Sequence, residues 1–117
     1  PSVMMMGFTR GDMYIEKMDW QFAFALRESG RFTMISTARM DPESFGFAPD
    51  EQVLRTRLAK MVTKQIGLYF YGLPERQEKT SVLFSPILGV DDLDEVSAEL
   101  DGIDRQRLAK VVKSCQQ

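Results

Sequence analysis

The sequence has no histidine and one cysteine, Cys115, in 117 residues. The usual zinc sites are built from several histidine and cysteine side chains, so none of them can be assembled within one chain. Ser-His-Asp and Cys-His constellations are excluded on the same ground, and an imidazole general base is missing as well. Carboxylates, lysines and tyrosines remain, so chemistry is deprived of its commonest groups without being forbidden. A lone cysteine allows no internal disulfide, which leaves the compartment open. No apolar run approaches the roughly 18 residues that span a bilayer, so no membrane association is expected. No signal peptide is recognisable, although a chain that begins at Pro1 could be a processed piece. An excess of positive charge is also lacking: the net charge is −2 and the pI about 5.2. A general nucleic-acid binder is usually clearly basic, so no nucleic-acid partner is expected.

What is present suits one globular domain spanning residues 1–117, with 44% hydrophobic and 27% charged residues. The most organised stretch runs from Pro49 to Pro74. Pro49 suits a first helical position, and Asp50 and Glu51 stand where the helix dipole favours negative charge. Leu54, Leu58, Met61, Val62, Ile66 and Tyr69 recur at three- and four-residue steps, which predicts an amphipathic helix. Arg57, Lys60 and Lys64 share an adjoining face and read as a solvated basic stripe. Gly72 can adopt the left-handed conformation that ends a helix, and Pro74 cannot continue one.

In chain order, Ser2–Thr9 reads as a buried strand whose methionines are core side chains rather than a soft-metal site. Arg10–Lys17 reads as a turn into an extended piece. Trp20–Arg27 and Arg31–Met40 read as strands joined through Glu28–Gly30, an antiparallel hairpin. Asp41–Ala48 contains Pro42 and Gly46 and reads as a loop anchored by Phe45 and Phe47. After the long helix, Glu75–Lys79 is expected to be exposed, and Thr80–Leu88 to be a short strand or a tight packed turn. The acidic stretch Asp91–Asp104 lacks calcium-loop spacing. Asp91 and Asp101 each stand three residues before another acid, the pattern of helix N-caps. Two helices follow, near Asp92–Leu100 and Arg105–Ser114. The order of elements is α+β in character.

Several consecutive segments together resemble the archaemetzincin family of zincin-fold metallopeptidases. Family members carry a strand close to G-x-T-x-x-D-x-Y, matched by Gly7, Thr9, Asp12 and Tyr14. An aromatic pair ending in a small residue is matched by Phe22, Phe24 and Ala25. A strand of the S-x-x-R-L type is matched by Ser36, Arg39 and Met40. An Arg and a Lys precede the family's zinc motif on a long helix, as Arg57 and Lys60 do here. The resemblance covers about Val3–Asp94 and implies a zincin-like α+β fold: a small mixed sheet packed on one long central helix, with C-terminal helices. The family begins earlier in its own sequence, so an N-terminal strand and helix could be missing here. An uncovered sheet edge would then recruit a protein partner or a second copy.

The chain departs from the family where the chemistry lies. The family places H-E-x-G-H-x-x-G-x-x-H-C across the end of this helix, where two histidines one turn apart grip zinc and the glutamate activates water. Anchoring on Gly67, the resemblance puts Lys64 at the first histidine, Gln65 at the glutamate, Leu68 at the second histidine and Pro74 at the third. Gly72 is one place off the family glycine, and Leu83 replaces the methionine of the turn beneath the metal. An ammonium, an amide, an isobutyl group and a proline cannot replace that ligand set. The expectation is a catalytically inactive metzincin-like domain without catalytic residues, metal or other cofactor, acting as a binding or structural module. The alternative is an enzyme with replacement chemistry, Lys64 acting with Tyr69 or Tyr71. Nucleic-acid binding by the basic stripe is a more distant third.

Overall fold

The computed structural model describes residues 4–11, 25–28 and 32–115. The chain forms two compact units, Pro1–Met61 and Val62–Gln117. Among the described residues no helix is long and apolar enough to cross a membrane.

In the first unit, strands β1 (Met5–Thr9), β2 (Ala25–Glu28) and β3 (Phe32–Ser36) form a mixed sheet in the order β1-β3-β2. β1 runs parallel to β3 with Met5 opposite Phe32 and Thr9 opposite Ser36. β2 is antiparallel to β3, with Ala25 opposite Ile35. The expected hairpin partners are therefore correct. β3, flanked on both sides, buries Thr33, Ile35 and Ser36 almost completely. β1 has a described neighbour on one side and exposes Met5 and Phe8, which corrects its reading as a buried strand.

The residues that carried the resemblance have local reasons to be there. A Cβ on Gly7 would lie 3.0 Å from the Met34 side chain, so the β1–β3 approach favours glycine. Thr9 O accepts hydrogen bonds from Thr37 N at 2.8 Å and from Thr37 Oγ1 at 3.3 Å. Ser36 Oγ donates to Gly11 O at 2.7 Å and accepts from Ala38 N. These bonds fix the exit of β3, which ends at Ser36 and passes into a turn at Ala38–Met40 rather than continuing as strand. Asp12, Tyr14, Phe22 and Phe24 lie outside the described residues.

The loop before the helix contains a short 3-10 turn at Pro42–Phe45, with Asp41 Oδ1 accepting from Glu43 N and Gly46 left-handed at φ 82°. Its anchors are not the expected phenylalanines. Phe45 is 45% and Phe47 71% exposed, whereas Met40 and Pro42 are buried. Arg57 Nη1 donates to Met40 O at 2.7 Å and ties the loop's entrance to helix α1 (Glu51–Gln65). α1 starts two residues later than Pro49 suggests. Asp50 is the N-cap, its Oδ1 accepting from Val53 N at 3.1 Å.

The second unit opens on the last turn of α1. The helix then widens over Ile66–Phe70 into a π turn, with Tyr71 N donating to Ile66 O. The end was correctly anticipated: Gly72 has φ 69°, and Leu73 N donates back to Gly67 O. Thr80–Leu88 forms a packed turn with a single bridge between Arg76 and Phe84. Helices α2 (Val90–Glu95) and α3 (Gly102–Cys115) follow. Asp91 is not a cap: it sits inside α2, whose N-cap is Gly89. Asp101 is one. Its Oδ1 accepts from Asp104 N at 3.0 Å while Asp104 Oδ2 accepts from Asp101 N, a reciprocal capping pair. Leu68, Leu73, Val82 and Leu83 form the core of this unit, with Leu100, Leu108 and Val111 packed against them.

Candidate functional site

Four of the five positions singled out in the sequence are brought to the end of α1 and the turn at Leu83–Phe84. Lys64, on the last turn of the helix, is only 8% exposed. Its Nζ donates to Phe84 O at 2.8 Å. Burial pushes the ammonium's pKa from 10.5 down to about 8, and the negative charge of Glu75 offsets part of that drop. Lys60 is equally buried and Arg57 half-buried, so the three basic residues do not form a solvated stripe. Their long aliphatic stems pack like apolar side chains, which a reading by charge alone misses.

Gln65 is also buried. Leu68 lies in the core, and Leu83 is fully buried beside it. Leu83 comes so close to the helix that a Cβ on Gly67 would meet its Cδ2 at 2.8 Å. The glycine thus has a packing reason of its own. Pro74, the fifth position, is exposed on the loop beyond Gly72. Tyr71 is half-buried, its ring set edge-on to Phe70 with centroids 4.9 Å apart.

The donor set does not fit zinc. The Lys64 ammonium is engaged with a carbonyl, Leu68 and Leu83 have no donor atom, and Pro74 points no ligand atom into a site. Among the described residues no three His, Cys, Asp or Glu side chains come together as a metal would require.

Beside this cluster is an almost wholly apolar pocket of about 120 Å³, lined by Ile66, Gly67, Tyr71, Leu73, Leu100 and Leu108 together with Thr63. Neither Lys64 nor a carboxylate lines it.

A second polar cluster escaped the sequence reading, which expected Glu75–Lys79 to be exposed. Arg76 is 7% exposed and donates through Nη1 to Asp101 at 2.6 Å and to Asp104 at 3.0 Å. Ser81 Oγ donates to the other oxygen of Asp104, which is completely buried. The hydrogen bond from Arg76 holds the Asp101 carboxyl down at about 2, with the Asp104 backbone N–H adding to the effect, while Arg76 itself is raised. Nothing in E-R-Q-E-K marks Arg76 as inward. The signal was the spacing of Asp101 and Asp104, whose capping role leaves carboxylate oxygens facing the loop.

Comparison with known proteins agrees with this architecture. No protein-family model matches the chain. It is 32% identical over 78 residues to archaemetzincin from Methanocaldococcus jannaschii, an alignment covering 67% of this chain and 42% of that protein. A crystal structure of a zinc-dependent peptidase from Methanocorpusculum labreanum superposes with a TM-score of 0.78 at 25% identity, over 90% of this chain and 53% of that one.

The chain is archaemetzincin-like. Archaemetzincin from Methanopyrus kandleri has the same fold, with a TM-score of 0.74 at 22% identity over 94% of this chain and 56% of its own. The archaemetzincin-like fold is α+β, as the order of elements predicts. The chain spans about half the length of the relatives it matches.

Proposed function

We propose that this archaemetzincin-like chain works without zinc, as a catalytically inactive binding or structural module. The observation that carries the reading is the state of Lys64. At the position where the family resemblance places the first metal-binding histidine, a buried ammonium is hydrogen-bonded to Phe84 O. Leu68 and Leu83 fill the adjoining space with hydrocarbon. Zinc brought there would meet a cation and apolar groups instead of lone pairs.

The name of one structural relative, a zinc-dependent peptidase, supplies the opposing reading. It requires ligands that a sequence without histidine does not have at these positions. Replacement chemistry at Lys64 draws support from its pKa of about 8, near the range of a lysine base. Against it, Lys64 does not line the apolar pocket, and its Nζ faces a backbone carbonyl.

The test is elemental analysis of the purified protein together with a zinc titration followed by thermal melting. The expected outcome is no stoichiometric zinc and no change in melting temperature. Stoichiometric zinc that raises the melting temperature would sink the proposal.

A further inference from the structure

The peptide unit that joins Phe84 to Ser85 is held on both sides. Its carbonyl, Phe84 O, accepts from Lys64 Nζ at 2.8 Å. Its N–H, on Ser85, donates to Arg76 O at 3.0 Å. A peptide group is planar, so whatever fixes the N–H also fixes the direction in which the carbonyl points. Arg76 makes a second backbone bond on the other side of Phe84, its N–H reaching Leu83 O at 3.1 Å. The backbone of one residue thus brackets the carbonyl that faces the buried lysine.

The side chain of that same residue is fixed at the start of α3. Its Nη1 donates to Asp101 at 2.6 Å and to Asp104 at 3.0 Å, and its Nη2 to Glu78 at 3.4 Å. Ser81 joins the two ends: its Oγ donates to Asp104 and accepts from Leu83 N at 3.0 Å. A row of hydrogen bonds therefore runs from the first turn of α3, through Asp104 and Arg76, to the carbonyl in front of Lys64. All its members belong to the second unit. Lys64 is sensitive to that carbonyl, because burial leaves its ammonium little water, and Glu75 acts on it through charge without a hydrogen bond.

We infer that Arg76 is the positioning residue of the Lys64 site, and that through it the capping cluster of α3 sets how the buried lysine is hydrogen-bonded. Networks of this kind couple groups that never touch. This rests on the reading of Lys64 as the group at the family's first-histidine position, and names what holds it there. The zinc analysis and the titration below fail independently, since Lys64 titrates whether or not the chain binds metal elsewhere.

The test is the titration of Lys64, followed by NMR of the lysine Cε groups and assigned with Lys64→Met. It is made on the full chain, on Arg76→Lys and on Ser81→Ala. Both variants keep the net charge, so a change reports hydrogen bonding rather than charge. Lysine at 76 retains the cation but not the planar fork that serves Asp101, Asp104 and Glu78. A carbonyl released by Arg76 holds the ammonium less well, so the Lys64 pKa should fall below about 8. Its acid dissociation constant should rise roughly threefold to tenfold in each variant, as for a weakened bond to a charged donor. Val111→Ala, which thins the same core away from these bonds, should leave the titration in place. In the unaltered chain, the Ser85 amide and the Arg76 Nε–H resonances should shift with the Lys64 midpoint, a readout that needs no variant to fold. An unchanged Lys64 titration in both variants overturns the inference. So does a rise toward 10.5, which would mean that water takes the carbonyl's place. An equal shift in Val111→Ala overturns it by reducing the effect to general loosening, and so does an Arg76 Nε–H that ignores the Lys64 midpoint.

Discussion

Lys64 makes the stability of this fold depend on pH in a direction opposite to that of a paired lysine. Its pKa falls from 10.5 to about 8 on folding, chiefly because burial disfavours the ammonium. Below pH 8 the lysine is protonated in both states, and the folded state bears the cost of burying the charge. Between about 8 and 10.5 the folded lysine is neutral while the unfolded one still binds a proton. The unfolded state then binds more protons, so stability rises with pH across that window. The fall corresponds to about 3 kcal/mol at full extent, at about 1.4 kcal/mol per tenfold change in acidity. Relaxation around the ammonium makes this an upper bound. The assay is urea denaturation at half-unit steps from pH 7 to 10 for the wild type and for Lys64→Met. Every other ionisable group is common to both proteins, so the difference between the two curves isolates Lys64. The lost hydrogen bond to Phe84 O contributes an offset common to all pH values. Wild-type stability should climb relative to the variant by about 2–3 kcal/mol between pH 7 and 10. A flat difference would mean that the ammonium is solvated in solution, and the burial argument for this site would fail with it.

Gly67→Ala should lower stability by about 1 kcal/mol, because a contact at 2.8 Å from Leu83 in a packed core outweighs the roughly 1 kcal/mol that alanine contributes to a helix. Adding Leu83→Ala should remove that penalty, giving a positive coupling in a double-mutant cycle by thermal melting; no coupling would show that the two residues do not meet. The Asp101 carboxyl, held near 2 by Arg76, should add an acid limb to the stability curve. Its contribution is complete above the ordinary value of 3.8 and disappears as pH falls through about 2, so Asp101→Asn should flatten the wild-type decline in that range. An unchanged limb in the variant would show that other carboxylates govern acid unfolding.

Much of the fold was legible because local rules and tertiary packing agree. The β2–β3 pairing, the helix stop at Gly72 and the cap at Asp101 each follow from residues within a few positions of one another. What sequence reading missed depends on distant partners. Arg76 is inward because Asp101 and Asp104 await it 25 and 28 residues later. Phe45 and Phe47 stay outside although both are aromatic, because Met40 and Pro42 already fill the loop's inner side. The parallel pairing of β1 with β3 needs a crossover, and much of the chain between them lies outside the described residues.

The largest error of periodicity falls at one place, and it has a geometric cause. A helical stripe through Leu58, Met61 and Val62 reaches Ile66 at ordinary spacing, yet the buried face of the helix runs instead through Lys60, Met61, Lys64, Gln65 and Leu68. At Ile66 the chain enters a wider turn, closed by the hydrogen bond from Tyr71 N to Ile66 O. Later residues therefore fall behind the α-helical phase. Ile66, counted as inward, is 37% exposed because it lies off the face of Met61, Lys64 and Leu68, while Gly67 is buried beside that face. Leu83 packs against Gly67 within the wider turn, which leads into a terminus where Leu73 N–H reaches back to Gly67 O. Departures from local regularity concentrate where a fold serves something other than its own packing. The departure here falls in the stretch onto which the resemblance maps the family's metal-binding motif, between Lys64 and Pro74. Yet the residues that fill it now give the turn a packing reason of their own: the close approach of Leu83 to Gly67 and the bond from Leu73 N–H to Gly67 O both sit at it.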